Sequence, residues 1–333
     1  MTLSKKRVLS GMQPSGRLHI GNLVGALQNW VKLQDEYQCY YFVADWHSLT
    51  SQYADTSAIK DNIMDLLVNW LAAGLDPEKA TIFIQSRVPE HAELHLLLSM
   101  ITPLGWLERV PSYKEKQLEV KDKDLNTYGF LGYPLLQSAD ILIYKANYVP
   151  VGVDQVSHLE ITREICRRFN NFYGEVFPEP EALLTEFPKV PGLDGRKMSK
   201  TYDNCIYLSD TPAEVEQKIK TMMTDPQRVK RTDSGDPELS PVFQLHKIFS
   251  TKQEQDEVAE GCRTAEIGCL DCKKILIKNL FSVLEPIWER RGKFLNKPEI
   301  IKEIIDAGSL KAKEIASNTI AEATKAINLN ALM

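Results

Sequence analysis

The fold is decided by residues 10–22, which read SGMQPSGRLHIGN. The four residues that begin at Arg7 have the apolar character of a short strand, and Leu23, Leu27 and Trp30 follow the stretch at helical spacing. The glycines and the proline between these two segments are typical of a tight turn. The sequence therefore predicts a strand, a glycine turn and the N-terminus of a helix.

This glycine turn is a candidate phosphate site. A helix N-terminus presents unpaired backbone N–H groups and a partial positive charge, which suit a phosphate. Gly21 would let a ring lie against the backbone, and His19 and Asn22 could add polar contacts. Glycine turns between a strand and a helix also occur throughout α/β proteins, and this spacing matches neither the G-x-G-x-x-G fingerprint nor the P-loop. The turn alone leaves both interpretations open.

A second stretch, residues 195–201, favours the nucleotide interpretation. It reads GRKMSKT and joins Lys197 and Lys200 to two hydroxyls and a glycine. Such a group suits a mobile loop, predicted over 195–204, that clamps a polyphosphate while charge moves during a reaction.

The two stretches together resemble the signatures of the class I aminoacyl-tRNA synthetases. HIGN at 19–22 is similar to HIGH, and KMSKT at 197–201 is similar to KMSKS. The closer resemblance is to the bacterial tryptophanyl-tRNA synthetase family, through GMQPSG (11–16), YPLLQSADIL (133–142) and PVGVDQVSH (150–158). It extends over nearly the whole chain.

The composition is that of an ordinary soluble protein. The 333 residues are 43% hydrophobic and 26% charged, which is enough for two domains and a sizeable core. No apolar run is long enough for a membrane span, and the start MTLSKKRVLSG lacks the apolar core of a signal peptide, so we expect a cytoplasmic protein. The net charge of −5 implies that any RNA contact uses local basic patches.

Strand-type and helical patterns alternate in the first half of the chain and predict a Rossmann-like parallel sheet. The strand-type runs lie at 39–44, 81–85 and 148–151. From about residue 211 the patterns are helical only, over 213–223, 241–250, 253–262, 271–291, 298–306 and 309–326. We therefore predict an α/β catalytic domain over 1–210 and an all-α domain over 211–333, to which the resemblance assigns the tRNA anticodon.

An insertion at about 88–130 interrupts the alternation. It holds an apolar helix and then a charged tract at 114–124, which we interpret as a solvated loop. The resemblance implies that this insertion carries the interface of a homodimer. The apolar residues available for such an interface are Leu96, Leu97, Leu98, Met100 and Ile101.

One predicted helix carries a polar face. Tyr133, Gln137 and Asp140 fall at i, i+4 and i+7. A carboxylate that faces an apolar slot needs a donor, which could be an indole N–H or a group within the fold. The residues alone do not decide between these two donors. The resemblance implies that Asp140 binds the indole N–H of tryptophan.

The resemblance also implies the remaining site residues. It assigns catalysis to Lys197, Lys200, Ser199 and Gln13. Tryptophan is held by Asp140, Tyr133, Gln137, Gln155, His47 and Leu9. ATP, with Mg²⁺ on its phosphates, is held by Gln13, Pro14, Ser15, His19, Gly21, Asn22, Gly152, Val153, Asp154, Val190, Lys197, Met198, Ser199, Lys200 and Thr201.

Three of the six cysteines have a metal-like spacing. Cys262, Cys269 and Cys272 are separated by six and then two residues. Some bacterial relatives carry an iron–sulfur site with this spacing and a fourth cysteine upstream, but 235–241 here contains none. Since a cluster normally takes four thiolates, we favour a cysteine set without a bound cluster or zinc.

The implied reaction joins tryptophan to ATP as an adenylate and then to tRNA(Trp). A tyrosyl-tRNA synthetase is the nearest alternative, because a Gln137–Asp140 pair could also bind a phenol. A non-catalytic RNA-binding paralogue and a nucleotidyltransferase are more distant ones. The intact KMSKT loop argues against the first of these, and the long helical region argues against the second.

Overall fold

A five-stranded parallel sheet forms the centre of the computed structural model, which describes residues 5–110, 125–152, 156–184 and 189–329. Its order is β3-β2-β1-β4-β5. The strands are β1 (Arg7–Met12), β2 (Gln38–Val43), β3 (Ala80–Ile84), β4 (Tyr148–Val151) and β5 (Glu181–Leu184). The predicted Rossmann-like sheet is confirmed. The sequence interpretation missed β5, because this short edge strand has no fully buried residue and so no apolar run.

Helices surround the sheet on both faces. The first is α1, built from Ile20–Asn22, a π-helical turn at Leu23–Leu27, and Gln28–Glu36. The others before residue 184 are α2 (Asp45–Gln52), α3 (Ile59–Ala73), α4 (Glu90–Ser99), α5 (Leu104–Glu108), α6 (Tyr128–Leu131), α7 (Tyr133–Ile143) and α8 (Val156–Tyr173). The later ones are α9 (Pro212–Thr221), α10 (Pro241–Phe249), α11 (Lys252–Arg263), α12 (Cys269–Leu295) and α13 (Pro298–Ala326).

Side chains of β2 show why both faces of the sheet are covered. Successive residues of a strand point to opposite faces. Tyr41 and Val43 belong to one buried cluster, with Trp70 of α3, whereas Tyr40 and Phe42 belong to the other. Every residue of this strand after the first is buried, which is typical of an inner parallel strand.

The insertion helix α4 is only partly exposed. Leu96 and Met100 are 55% and 73% exposed, but Leu98 and Ile101 are buried in the second core cluster. Our expectation that all these apolar residues are available for an interface is therefore wrong for Leu98 and Ile101, which lie on the core side of the helix. The charged tract at 114–124 lies outside the described residues.

Lys273 of α12 does not contribute to a local basic patch on the surface. Its side chain is buried, and its ammonium donates to the carbonyls of Lys220 and Met222 at 2.7 and 2.6 Å. These carbonyls lie at the C-terminal end of α9, where helices leave acceptors unsatisfied. Lys273 therefore joins two helices, while Lys274 remains exposed.

The last helix, α13, is continuous where the sequence predicted two helices. The gap between the two predicted helices, at 307–308, lies inside α13, and Gly308 there packs against the edge strand β3. A Cβ atom at this position would stand 1.9 Å from the carbonyl oxygen of Ile82. The glycine is thus explained by close approach of two backbones. Helices α12 and α13 contribute Leu280 and Ala316 to the same two clusters that cover the sheet, and the division at 210/211 stays a prediction.

Gly308→Ala is expected to destabilise the protein by about 2 to 3 kcal/mol, because overpacking against the Ile82 backbone forces α13 away from β3. Gly292→Ala, in the interior of α12 with no atom within 4 Å, is the matched control and should stabilise the helix by about 0.5 to 1 kcal/mol. Urea unfolding midpoints of the two variants measure this. Equal midpoints would contradict the role of Gly308.

Within the described ranges, no helix combines the length and the low polarity that a membrane crossing requires.

Candidate functional site

The main cavity near the glycine turn opens at the carboxyl ends of the strands. β1 and β4 are neighbours in the sheet although they are distant in sequence. From β1 the chain builds the sheet in one direction through β2 and β3, and it then returns to β4 and builds it in the other direction. This is the switch point at which open α/β sheets bind ligands. The cavity measures about 330 Å³. It is lined by Leu9, Ser10, Gly11, Gln13, Phe42, Ala44, His47, Tyr133, Gln137, Asp140, Ile141, Val149, Pro150, Val151, Gly152 and His158.

The polar face predicted for α7 lies on the wall of this cavity. Tyr133, Gln137 and Asp140 all line it, together with His47 of α2 and Leu9 of β1. The i, i+4, i+7 spacing therefore brings the three side chains together as expected. Of the residues predicted for tryptophan, only Gln155 lies outside the described residues.

Asp140 is the most enclosed charged group of the cavity, at 1% exposed. Its Oδ2 accepts from His47 Nε2 at 2.8 Å, and its Oδ1 accepts from Gln85 Nε2 at 2.7 Å and His91 Nδ1 at 2.6 Å. Burial alone would raise the pKa of this carboxyl, but the hydrogen bonds from the two histidines outweigh burial and hold the pKa well below its usual range. The carboxylate thus finds donors within the fold and also faces the cavity.

Gln85 and His91 are site residues that the sequence interpretation missed. Both are 0% exposed and stand at the end of β3 and in α4. Gln85 is the last residue of the strand predicted at 81–85, and polar residues at strand ends often reach a ligand site in parallel sheets. That signal could have identified Gln85, whereas no local pattern identifies His91.

The lysine loop lies on the glycine turn. Lys200 donates from Nζ to the carbonyl oxygens of Ser15 and Gly16, at 3.1 Å each. Backbone pairing ties the flanks of the two segments, because Ile20 N donates to Ile206 O at 3.0 Å and Leu208 N to Leu18 O at 2.9 Å. The two stretches that the sequence linked by chemistry are therefore neighbours in space.

The first turn of α1 differs from the expectation of unpaired amides. Ile20 N donates to Ile206 O, and the N–H groups of Asn22 and Leu23 both donate to His19 O. Asn22 Oδ1 in turn accepts from His19 N at 3.1 Å, as a capping residue does. Those three amides are therefore already bonded, and binding of a phosphate here would depend more on the lysines and the turn side chains.

His19 lies beside both lysines of the loop. Burial, together with the charges of Lys200 and Lys197, lowers the pKa of His19 to about 4. The imidazole is therefore neutral at physiological pH. Its Nδ1 is buried without a hydrogen-bond partner in the described part of the chain. A Cβ on Gly21 would meet this ring at 2.8 Å and Val190 at 3.8 Å, so the three residues form one surface.

Asn204 holds the lysine loop and was missed from the sequence. It is buried, its Oδ1 accepts from Ser199 N at 2.8 Å, and its Nδ2 donates to Asp194 Oδ1 at 2.7 Å and to Lys197 O at 3.2 Å. A side chain at Gly192 would collide with Asn204, since a Cβ there would lie 2.1 Å from its Nδ2. An asparagine near a loop carries no sequence signal of this role.

The other residues that the resemblance assigns to ATP lie either at the cavity or in and beside the lysine loop. Gln13 and Gly152 line the cavity from β1 and β4, and Pro14 is buried beside Gln13. Val190 is buried and its carbonyl accepts from Met198 N at 2.9 Å, whereas Thr201 is exposed. Val153 and Asp154 lie outside the described residues.

The three spaced cysteines lie on α11 and α12. They surround a cavity of only about 20 Å³, and Nη1 of Arg228 lies 3.8 Å from Cys262 Sγ, where it places a cation next to the thiol. Burial raises the pKa of Cys272 to about 12. No group of three or more His, Cys, Asp or Glu side chains among the described residues could hold a metal ion. Cys39, Cys166 and Cys205 are buried as packing residues.

A parallel sheet that brings a HIGN-type turn and a KMSKT-type loop together at its switch point is the architecture of a class I aminoacyl-tRNA synthetase. The family model described as "tRNA synthetases class I (W and Y)" matches residues 2–285. The chain belongs to this family.

Within the family the chain is similar to tryptophan–tRNA ligases. One from Thermotoga maritima is 57% identical over 325 residues, which cover 97% of this chain and 99% of the relative. The crystal structure of a tryptophanyl-tRNA synthetase from Campylobacter jejuni, complexed with ADP and tryptophan, is 36% identical with a TM-score of 0.88, over 97% of this chain and 99% of that one. A tyrosyl-tRNA synthetase from Archaeoglobus fulgidus is 24% identical with a TM-score of 0.66 and shares the fold.

Proposed function

We propose that the protein is a tryptophan–tRNA ligase. It activates L-tryptophan with ATP to tryptophanyl-adenylate and pyrophosphate, and then transfers tryptophan to tRNA(Trp). The observation that carries the proposal is Asp140, a buried and ionised carboxylate on the wall of a cavity that the beginning of the glycine turn also lines. An indole, flat and apolar with one N–H, is the amino-acid side chain that fits such a wall. The similarity to tryptophan–tRNA ligases supports the same assignment.

In the first step an oxygen of the tryptophan carboxylate attacks the α-phosphorus of ATP. The bond between that phosphorus and the bridging oxygen breaks, and pyrophosphate leaves with the electron pair. No nucleophilic side chain is needed, so the enzyme contributes alignment and stabilisation of charge. Lys197 and Lys200 neutralise the leaving pyrophosphate, with Ser199 as a hydrogen-bond donor. Mg²⁺ enters as part of the MgATP substrate, because the described residues offer it no cluster of ligands.

The two substrates divide between the cavity and the adjoining glycine turn. Leu9, His47, Tyr133, Gln137 and Asp140 hold tryptophan, and Gln155 is assigned to it by the resemblance alone. The turn residues Gln13, Ser15, His19 and Asn22 hold the triphosphate. In the second step a hydroxyl of the terminal adenosine of the tRNA attacks the carbonyl carbon of the adenylate, and AMP leaves.

We also propose a cytoplasmic homodimer whose C-terminal helices bind the tRNA anticodon. The exposed apolar side chains of Leu96, Met100, Leu104 and Tyr128 lie on α4, just after it, and on α5 and α6, and a dimer interface would cover them. Exposed lysines such as Lys274 on α12 supply local positive charge in a chain of net charge −5.

Pyrophosphate exchange into ATP, measured with each of the twenty amino acids in the absence of tRNA, tests the function. We expect exchange with tryptophan only. Exchange with tyrosine instead would keep the fold and the chemistry but overturn the assignment of the cavity. The absence of exchange with all twenty would favour a non-catalytic paralogue.

A further inference from the structure

A buried chain of hydrogen bonds continues behind Asp140. His91 donates from Nδ1 to Asp140, and its other ring nitrogen, Nε2, lies 2.7 Å from the hydroxyl of Tyr144. His91 and Tyr144 are both 0% exposed, and neither lines the cavity. They therefore do not touch a ligand there, although they control the group that does.

The proton positions in this chain follow from its chemistry. An ionised carboxylate can only accept, so Nδ1 of His91 carries the hydrogen that points to Asp140. Burial raises the pKa of Tyr144 well above its usual value, so the phenol keeps its proton. Its hydroxyl oxygen lies 2.7 Å from Nε2 of His91, and the hydrogen bonds at the two ring nitrogens together hold the imidazole in one orientation.

The same bonds make the two oxygens of Asp140 different. A carboxylate oxygen offers about two acceptor positions. Oδ1 accepts from Gln85 and His91, which both lie outside the cavity lining. Oδ2 accepts from His47, which lines the cavity. Among the described donors, one acceptor position is left over, and it belongs to Oδ2 on the cavity side.

Aromatic side chains pack around the hydrogen bonds from Asp140 to Tyr144, restrict their movement and exclude water from them. Tyr144 stacks on Tyr40, with 5.2 Å between ring centroids and 18° between planes, and its ring lies 5.4 Å from that of Phe83. His91 packs against Phe42 at 6.0 Å. In such surroundings hydrogen bonds are electrostatically stronger than in water.

We propose that His91, oriented by Tyr144, is a positioning residue for selection of the amino acid. By holding Oδ1, it turns Oδ2 toward the cavity, where this oxygen accepts the indole N–H of tryptophan. The inference rests on the proposed function. It assigns selectivity to two residues that make no contact with the substrate.

The test compares tryptophan with benzothienylalanine, in which sulfur replaces the indole N–H, by pyrophosphate exchange with the full-length protein. The parent should prefer tryptophan by about 100-fold in kcat/KM, since a hydrogen bond to a charged acceptor is lost with the analogue. Tyr144→Phe should narrow this ratio at least about fivefold, through a higher KM for tryptophan. The kcat, the KM for ATP and the KM for the analogue should stay unchanged.

Two further comparisons separate positioning from packing. Tyr40→Phe is the matched control, because Tyr40 is 1% exposed, stacks on Tyr144, and its hydroxyl has no partner in the described part of the chain. This variant should keep the parent's ratio. His91→Leu should narrow the ratio more than Tyr144→Phe, and His91→Asn should restore part of it, because an asparagine amide can occupy the place of Nδ1.

The outcomes are distinct. An unchanged ratio in both Tyr144→Phe and His91→Leu would overturn the proposal, as would equal losses with tryptophan and the analogue, since a purely structural role affects both amino acids alike. If the parent catalyses no exchange with tryptophan, the proposed function fails instead. If the parent exchanges with tryptophan and the variants keep its preference for tryptophan over the analogue, the proposed function stands. His91 then has no part in selection of the amino acid.

Discussion

Lys200→Ala is expected to lower the turnover number for pyrophosphate exchange by about 100- to 1000-fold, with little change in the KM for tryptophan. The reason is that the lysine ammonium neutralises charge that develops on the leaving pyrophosphate, and loss of one such group typically has an effect of this size. Lys200 is well placed, because its Nζ already lies over the carbonyls of Ser15 and Gly16 in the glycine turn. Burial also lowers its pKa from the usual value, which reflects the enclosed position of this loop.

The control for this variant is Lys189→Ala, which removes an exposed lysine that precedes the loop and makes no described contact with the turn. It should exchange pyrophosphate at the parental rate. An unchanged turnover number in Lys200→Ala would remove Lys200 from catalysis. A rise in the KM for tryptophan alone would place its effect on binding instead.

Asp140→Asn is expected to reduce kcat/KM for tryptophan by at least about 100-fold. The amide oxygen would stay with the donors Gln85 and His91, so the amide N–H₂ would face the cavity. A donor would then meet the indole N–H, which leaves two donors opposed in a buried site. Initial rates of exchange at varied tryptophan concentration measure the effect.

Asp225→Asn provides the comparison. Asp225 is buried to a similar extent, but it accepts from the backbone N–H groups of Gln227 and Asp236 near the cysteines, away from the cavity. Its replacement should lower stability without changing selectivity. If Asp140→Asn retained the parent's kcat/KM for tryptophan and its rejection of phenylalanine, the carboxylate would have no part in recognition.

Much of the fold and part of the site could be predicted because their signals are local. The four strands of the catalytic half that are buried read as apolar runs, and the polar face of α7 follows from helical spacing alone. The edge strand β5 has no such run and was missed. The role of Gly308 could not be predicted, because it depends on Ile82, which is more than two hundred residues earlier in the chain.

The sequence by itself determined the glycine turn, the lysine loop, the parallel sheet and the helical face that carries Asp140. Each of these features depends on a pattern of residues only a few positions apart. Only the tertiary structure decided how they combine: which donors hold Asp140, which carbonyls receive Lys200, and how Asn204 supports the loop. These contacts join residues up to 185 positions apart. Periodicity and turn chemistry act over single elements, whereas a buried polar group is satisfied by whatever packing brings within about 3 Å.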